Sequence, residues 1–564
     1  MPTKSLAAPI ETDLPQETAP AQQDDSHEGV ARATGVLALG NIASRILGLV
    51  REIVLTNLFG ASAAVDAFKV AVIVPKALYD LLIGGHVNSA IIPVLSEVAT
   101  VSGRDELWRL VSVLLSMITA VLALLVLVLE LFAPQIVELV SSGAAPQTLT
   151  LAADLLRLTA PALLFLSMFA ILSGTLYALR SFTWPAFAGV VFNGGIVAVS
   201  LLFAPLPQFQ VMLSAGALPL WVIARPDSGI TVVALGWLFG ALAQLLLQMP
   251  GLRGARLRVT IHWRHPAVRR IIALYIPVMF SLILDTLVIR TFSYNLASQT
   301  GEGSIAYMDW ATTLIQFPHG LIATAISIAI LPTLARQAAV VDREGITAFK
   351  DTLGLGLRLA TTLILPATVG LFVLAVPIVA LLFQHGAFTA QDTAITAEAL
   401  RLYLIGLPFA TVDLLLVYAF YARQDTLTPA LVGLFSLILY MVVAVVLFPY
   451  FGLFSLMIAD STKHIIHAAV SAFLLWRRMD GFGQQRLLMT IGKTGLASAV
   501  MGLVAYLAVP VLTTRLVGGG LLQELLLVGI SGGLSLLIFF GLAALLRIQE
   551  LRWLAGLLKQ RLVR

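Results

Sequence analysis

Fourteen mostly apolar runs, each roughly 20 residues long, recur along the 564 residues and do not alternate with a period of two. As a helix rising about 1.5 Å per residue, a run of that length crosses the hydrocarbon core of a bilayer. Lipid offers no water to the backbone, so a crossing segment must be a helix or part of a closed barrel. The missing period of two selects helices. The runs lie at about 33–58, 67–95, 109–132, 150–177, 185–205, 230–249, 271–295, 305–333, 354–382, 395–421, 429–449, 453–475, 491–513 and 521–546. Composition agrees: 59% of residues are hydrophobic and 12% charged, against about 45–50% and about 25% in soluble domains. The expected fold class is an all-α polytopic membrane protein of about 14 transmembrane helices.

The basic residues test that count. Loops holding Arg104, Arg180, the Arg253–Arg270 group, Arg336 to Lys350, Arg423 and Arg477 to Arg486 alternate with loops holding almost none. Lys and Arg accumulate on the cytoplasmic side, and a missed span would invert the alternation from that point on. Both termini are therefore expected in the cytoplasm. Residues 1–30 lack an apolar block and read as a disordered cytoplasmic tail, not a signal peptide. The net charge of +5 sits in short loops, which is a topology signal and not a nucleic-acid footprint. With no cysteine, disulfides, thiolate metal sites and a Cys nucleophile are excluded.

An internal repeat divides the chain. Leu-Arg-Leu followed by Leu-Tyr-Ala-Leu-Arg-Ser-Phe-Thr-Trp-Pro-Ala near residue 157 returns near 401 as Leu-Arg-Leu and Phe-Tyr-Ala-Arg-Gln-Asp-Thr-Leu-Thr-Pro-Ala. Arg157, Tyr177 and Pro185 map onto Arg401, Tyr421 and Pro429 at one offset. Six spans separate the copies, so both have the same orientation. The expectation is two pseudo-symmetric six-helix lobes, at 31–250 and 251–480, enclosing a cavity as in many transporters. Residues 481–564 add two C-terminal helices and a cytoplasmic tail.

Several spans carry charge, which costs at least about 2.5–3.5 kcal/mol at the bilayer centre. The first holds Arg45, Arg51 and Glu52; the second holds Asp66, Lys69, Lys76, Asp80, His86 and Asn88. Lys69, Lys76 and Asp80 share one helix face. Two readings stand. Arg51–Glu52 and Lys76–Asp80 are pairs near membrane ends that snorkel to headgroups, or these helices line a cationic cavity for an anionic ligand, with Arg as a planar fork on phosphate. Arg290, with Asp285 about a turn earlier, fits either pairing or the cavity. Asp309, His319, Asp413, Asp460, Lys463, His464 and His467 also lie in spans, where Asp and His serve either as hydrogen-bonded structure or in ion transfer. Asp285, Asp413 and Asp460 are the coupling candidates, for Na+ or H+. No Gly-rich phosphate loop and no HExxH are present, and the loops leave no room for a catalytic domain. The chain is expected not to be an enzyme and to hold no cofactor or metal.

The stretch Ser44-Arg45-Ile-Leu-Gly48-Leu-Val-Arg51-Glu52, with Phe59-Gly60-Ala61, Asp66-Ala67-Phe68, Pro75, Gly85 and Pro93, resembles the start of the MurJ (MviN) lipid II flippases. These belong to the multidrug/oligosaccharidyl-lipid/polysaccharide exporter superfamily. In the second half, Leu296-Ala297-Ser298, Phe317-Pro318, Gly320, Leu331-Pro332, Gly386-Ala387-Phe388 and Phe420 to Pro429 match the same pattern. The likeness runs from about 33 to 480. It implies a flippase moving undecaprenyl-pyrophosphate-linked peptidoglycan precursor from the cytoplasmic to the periplasmic leaflet. It also implies fourteen helices in two lobes, with the last two helices forming a groove for the lipid tail. By the same resemblance Arg45, Arg51 and Asp66 belong to the central cavity, and both arginines contact pyrophosphate.

The sequence departs from the pattern where the family usually has an Arg pair, here Tyr79 and Asp80, and near Ala311-Thr312-Thr313, where an Arg is common. Lys69 and Lys76 are expected to restore the cationic character. The partners expected are lipid II or a related undecaprenyl-linked glycan, membrane lipid and cell-wall synthesis proteins, with no nucleic acid. A flippase for another lipid-linked oligosaccharide is the main rival, ahead of a drug/cation antiporter. An antiporter would want a carboxylate-dominated cavity. A polytopic glycosyltransferase or a scaffold remains a further alternative.

Overall fold

A computed structural model describes residues 21–81, 91–203, 229–260, 266–272, 283–340, 343–479, 481, 485–516, 520–553 and 556. The first half contains α1 (Ala21–Phe59), α2 (Ala63–Tyr79), α3 (Ile92–Val101), α4 (Gly103–Leu131) and α5 (Ala133–Val140). It continues with α6 (Pro146–Thr159), α7 (Ala162–Ala178), α8 (Ala188–Phe203) and α9 (Thr231–Leu246). The second half contains α10 (Arg290–Ser298), α11 (Ser304–Pro318), α12 (Ala325–Ala338), α13 (Arg343–Val373) and α14 (Ala375–Phe383). After these come α15 (Ala390–Ala422), α16 (Leu427–Phe451) and α17 (Phe454–Arg478), then the terminal pair α18 (Leu487–Arg515) and α19 (Leu521–Leu545). Single π-helical turns, Ile283–Ile289 and His319–Thr324, lead into α10 and join α11 to α12. Helix starts at Ala21, about ten residues inside the segment expected to be a tail.

Among the described residues, nine helical stretches are long and apolar enough to cross a membrane. Each coincides with an expected span. The other five expected spans overlap α1, α2, α8, α10 and α17, which are shorter or carry charge; residues 82–90 of the span at 67–95 and 273–282 of the span at 271–295 lie outside the described residues. The outward faces are apolar at helical spacing: Leu124, Leu127, Val128 and Leu131 on α4, and Leu431, Phe435, Ile438, Val442 and Val445 on α16, are exposed. A water-soluble protein does not expose continuous stripes of this kind; a lipid-facing helix must.

The duplication extends to atomic detail. Arg157 donates from Nε to the Glu130 carbonyl at 3.3 Å and from Nη1 to Asp154 at 2.9 Å. Arg401 repeats this with the Phe372 carbonyl at 3.3 Å and Glu398 at 3.3 Å. In both halves the guanidinium satisfies a carbonyl freed where a long helix breaks and a short one begins. α7 and α15 also end alike. Arg180 and Gln424 are left-handed with φ of 58°. The next amides, Ser181 and Asp425, bond back to Leu176 and Phe420 at 2.8 and 3.0 Å, the Schellman ending.

Close packing within the first half uses Gly236 and Gly240, four apart on α9. A Cβ at Gly240 would lie 2.5 Å from the Phe192 carbonyl oxygen, and one at Gly236 would lie 3.1 Å from the Ile196 Cα. Small residues at this spacing let membrane helices approach backbone to backbone.

The halves meet at the end that carries the weakly charged loops. The Ala387 amide donates to the Asn57 carbonyl at 2.9 Å, the Gly143 amide to Ser298 Oγ at 3.1 Å, and Asn295 Nδ2 to the Leu139 carbonyl at 2.9 Å. Gly60 and Gly386 make the approach sterically possible. Both have positive φ, and a Cβ on either would lie 2.5 or 2.3 Å from a backbone oxygen of the opposite half. A single apolar core, including Phe68, Trp237, Trp310, Phe383 and Phe388, runs through both halves below this junction.

Candidate functional site

α1, α2, α8 and α9 of the first half and α10 and α11 of the second enclose a cavity of about 430 Å³. Lys69 lies six residues into α2, about 9 Å from the joined end, and Lys76 thirteen residues in, about 20 Å. The cavity thus occupies the middle of the molecule. Five cations line it, Arg45, Arg51, Lys69, Lys76 and Arg290, against two carboxylates, Glu52 and Asp309.

Glu52 is the hub of the deep wall and is 3% exposed. Its Oε1 accepts from Arg51 Nη2 at 2.6 Å and Nε at 3.1 Å. Its Oε2 accepts from Lys69 Nζ at 2.8 Å and from the Trp310 indole N–H at 3.0 Å. A buried carboxylate needs such saturation, because an unpaired one would lose its hydration without replacement. Lys69 also approaches Asp309 at 3.7 Å, and Asp309 accepts from the Tyr294 hydroxyl at 2.8 Å. Arg51 donates to Asn193 Oδ1 at 3.0 Å and lies 5.9 Å from the centre of the Trp237 ring, a cation–π distance. One polar layer therefore ties both halves together across the cavity.

The outer part of the cavity is less saturated. Arg45 is exposed, its guanidinium reaching the second half at the Gln316 carbonyl, 3.5 Å away, and in the space beside Gly320. Lys76 pairs with Asp80 at 3.1 Å with half its side chain exposed. The two pairings offered by sequence, Arg51–Glu52 and Lys76–Asp80, both form, but Glu52 is buried in the cavity wall, so the Arg51–Glu52 pair belongs to the cationic cavity and does not snorkel.

This arrangement has a counterpart in sequence. The family model described as "Lipid II flippase MurJ" matches residues 55–526. The chain belongs to the MurJ lipid II flippase family. A relative from Burkholderia cenocepacia, "Lipid II flippase MurJ", is 31% identical over 423 residues, covering 73% of this chain and 77% of the relative. One from Bdellovibrio bacteriovorus, "Probable lipid II flippase MurJ", is 30% identical over 540 residues, with 93% and 97% covered. In fold, the chain is similar to the solved structure "Lipid II flippase MurJ, inward closed conformation", with a TM-score of 0.72 at 23% identity over 90% of this chain and 98% of that one. An inward-facing transporter of the MATE family is similar at a TM-score of 0.61 and 16% identity, over 78% and 96%. The family is one of transporters, and the chain is a multi-pass membrane protein.

Not every expected site residue of this MurJ-family chain reaches the cavity. Asp66 does not line it: α2 carries Asp66 to the junction of the halves, where its carboxylate caps α11. Oδ2 accepts from the Gly303 amide at 2.7 Å and Oδ1 from the Ala306 amide at 2.9 Å. A carboxylate there satisfies two orphan amides and meets the positive end of the helix dipole. Asp413 and Asp460 also lie elsewhere, in a polar cluster of the second half. Asp413 of α15 bonds His467 of α17. Asp460 pairs with Lys463 at 2.6 Å and approaches His464 at 3.8 Å. The side chain of Asp285 falls outside the described residues, as do His86 and Asn88. Sequence reasoning missed Asn193, Trp237, Trp310 and Tyr294. A lone Asn in the apolar run 188–203 was the one signal on offer.

Proposed function

We propose that this chain flips lipid II, an undecaprenyl-pyrophosphate-linked peptidoglycan precursor, from the cytoplasmic to the periplasmic leaflet by alternating access. The observation that carries the reading is the five-cation cavity between the two halves, which are hydrogen-bonded to each other at the end with weakly charged loops and through the Glu52 layer of the cavity wall. With basic loops on the cytoplasmic side, both termini are cytoplasmic and the joined end is periplasmic. The pyrophosphate head enters from the cytoplasm and meets Arg45 and Lys76 before Arg51, Lys69 and Arg290. The prenyl tail stays in lipid along α18 and α19. Parting of the Asp66 and Asn57 contacts then opens the opposite side.

Membrane potential drives the return step, at about 2.3 kcal/mol per charge per 100 mV. A proton is the favoured coupling ion over Na+. Asp413 and Asp460 already face His467 and Lys463, and the lysine ammonium fills the place a bound cation would take.

The test is growth rescue of bacteria depleted of their own lipid II flippase. Wild type is expected to rescue and Arg45→Ala/Arg51→Ala to fail. A folded, membrane-inserted wild type that does not rescue moves the assignment to another lipid-linked oligosaccharide, a reading consistent with Tyr79 and Asp80 standing where the family usually has arginine.

A further inference from the structure

A second polar cavity of about 430 Å³ lies far from the first, where α13, the start of α18 and the chain after α19 converge. Its two carboxylates are already engaged. Glu550 is held by Arg358 Nε at 2.7 Å, and Asp351 accepts from Gln485 Nε2 at 3.0 Å. Arg358 also donates to the Gln485 carbonyl at 2.5 Å. Three further cations, Arg486, Lys493 and Arg547, line the same cavity and make no ion pair or side-chain hydrogen bond with any described residue. Lys493 lies on the second turn of α18, and Arg486 is the left-handed residue, φ 52°, immediately before that helix.

Three unneutralised cations around a cleft that holds its own acids in check will collect an anion. The surroundings say which kind. Leu488 is 85% exposed and Met489 56%, and the lipid-facing stripe continues along α18 through Ile491 and Leu496. The cavity therefore lies at the foot of an apolar, lipid-facing wall, at the end of the molecule that carries the basic loops. A free anion would need only the cations; a lipid uses both features at once. Basic pockets between membrane helices at this level suit anionic headgroups.

We propose that this cavity is a binding site for the headgroup of an anionic phospholipid, its phosphate on Arg486, Lys493 and Arg547 and its acyl chains along α18. The bound lipid fastens the terminal helix pair to α13, adding to the Arg358–Glu550 bridge. The site is separate from the central cavity and does not depend on what that cavity carries.

The experiment uses the full-length protein in phosphatidylcholine nanodiscs with or without phosphatidylglycerol, read by lipid retention in native mass spectrometry and by melting temperature. Phosphatidylglycerol is expected to be retained and to stabilise, while inorganic phosphate at matched concentration does neither. Each cation near the headgroup contributes roughly fivefold in affinity, so Arg486→Gln/Lys493→Gln/Arg547→Gln is expected to lose on the order of a hundredfold. Arg515→Gln, at the other end of α18, is expected to change nothing. Equal retention of both lipids by wild type overturns the proposal, as does undiminished retention by the triple variant. Equal stabilisation by inorganic phosphate also overturns it, in favour of a free-anion site. If the triple variant does not fold, Lys493→Gln alone must still lose roughly fivefold.

Discussion

Asp66→Asn should unlock the junction between the halves while leaving the helices intact. The carboxylate accepts two backbone amides of the opposite half, at 2.7 and 2.9 Å, and is 6% exposed. Hydrogen bonds to a charged group contribute about 1.5–3 kcal/mol each, neutral ones about 1. An asparagine keeps one acceptor for one amide and turns its NH2 toward the other, so one charge-assisted bond is lost and one is weakened. The change is about 2–4 kcal/mol against the joined state, or about 30- to 1,000-fold in the ratio of joined to parted molecules. The chain has no native cysteine, so cysteines placed at Ala145 and Glu302 accept spin labels without background. Double electron–electron resonance is then expected to show a new, longer distance in Asp66→Asn. An unchanged distance distribution, with an unchanged melting temperature, would refute the reasoning. A lowered melting temperature without a longer distance would reassign Asp66 to stability alone.

Other substitutions have outcomes set by the same geometry. Lys69→Met removes a cation 8% exposed at its side chain and leaves Glu52 and Asp309 short of charge, so it should cost about 3–5 kcal/mol in denaturation. Lys76→Met, half exposed, should cost less than about 1 kcal/mol; both together should abolish flipping in a reconstituted assay. Gly240→Ala drives a methyl into the Phe192 carbonyl and should destabilise by about 1–3 kcal/mol in thermal melts. Asp425, in the loop before α16, is partly desolvated, which opposes its ionisation. The Thr428 hydroxyl and amide and the Arg478 guanidinium overcome this and hold the carboxyl down to about 2. Because the folded value is depressed, the contribution is complete above the unfolded value of about 3.9 and is lost as pH falls toward 2. Asp425→Asn should remove that acid-side slope from a melting-temperature profile.

Hydropathy alone located nearly every helix, because a crossing segment must be apolar for a fixed length whatever its neighbours are. The repeat was equally legible: Arg157 and Arg401 recur because each seals a broken helix, a local task with a local signature. Pairings within one helix, such as Lys76–Asp80, followed from spacing. The partners that define the site did not. Trp310 meets Glu52 across 258 positions, and Gly303 meets Asp66 across 237. A sequence fixes the height of a residue in the membrane and its angle on its own helix, but not the rotation of that helix against another. Asp66 shows the consequence. Its charge in a span marked it as functional, but only the docking of α2 against α11 decides that it faces a helix terminus and not the cavity.

Glu52 has a consequence for selectivity. Its carboxylate holds the innermost guanidinium and ammonium of the cavity, so under the function proposed above the incoming head group meets those two cations already paired. Any visiting anion must outcompete a neighbour held at very high effective concentration. Chloride or a carboxylate offers one charge for one charge and gains nothing. A diphosphate carries several oxygens and more than one charge, so it can engage the exposed Arg45 and half-exposed Lys76 while Glu52 still holds Arg51, and displace the carboxylate only at the end. Under the proposed function, the cavity then sorts anions by valence before it sorts them by shape.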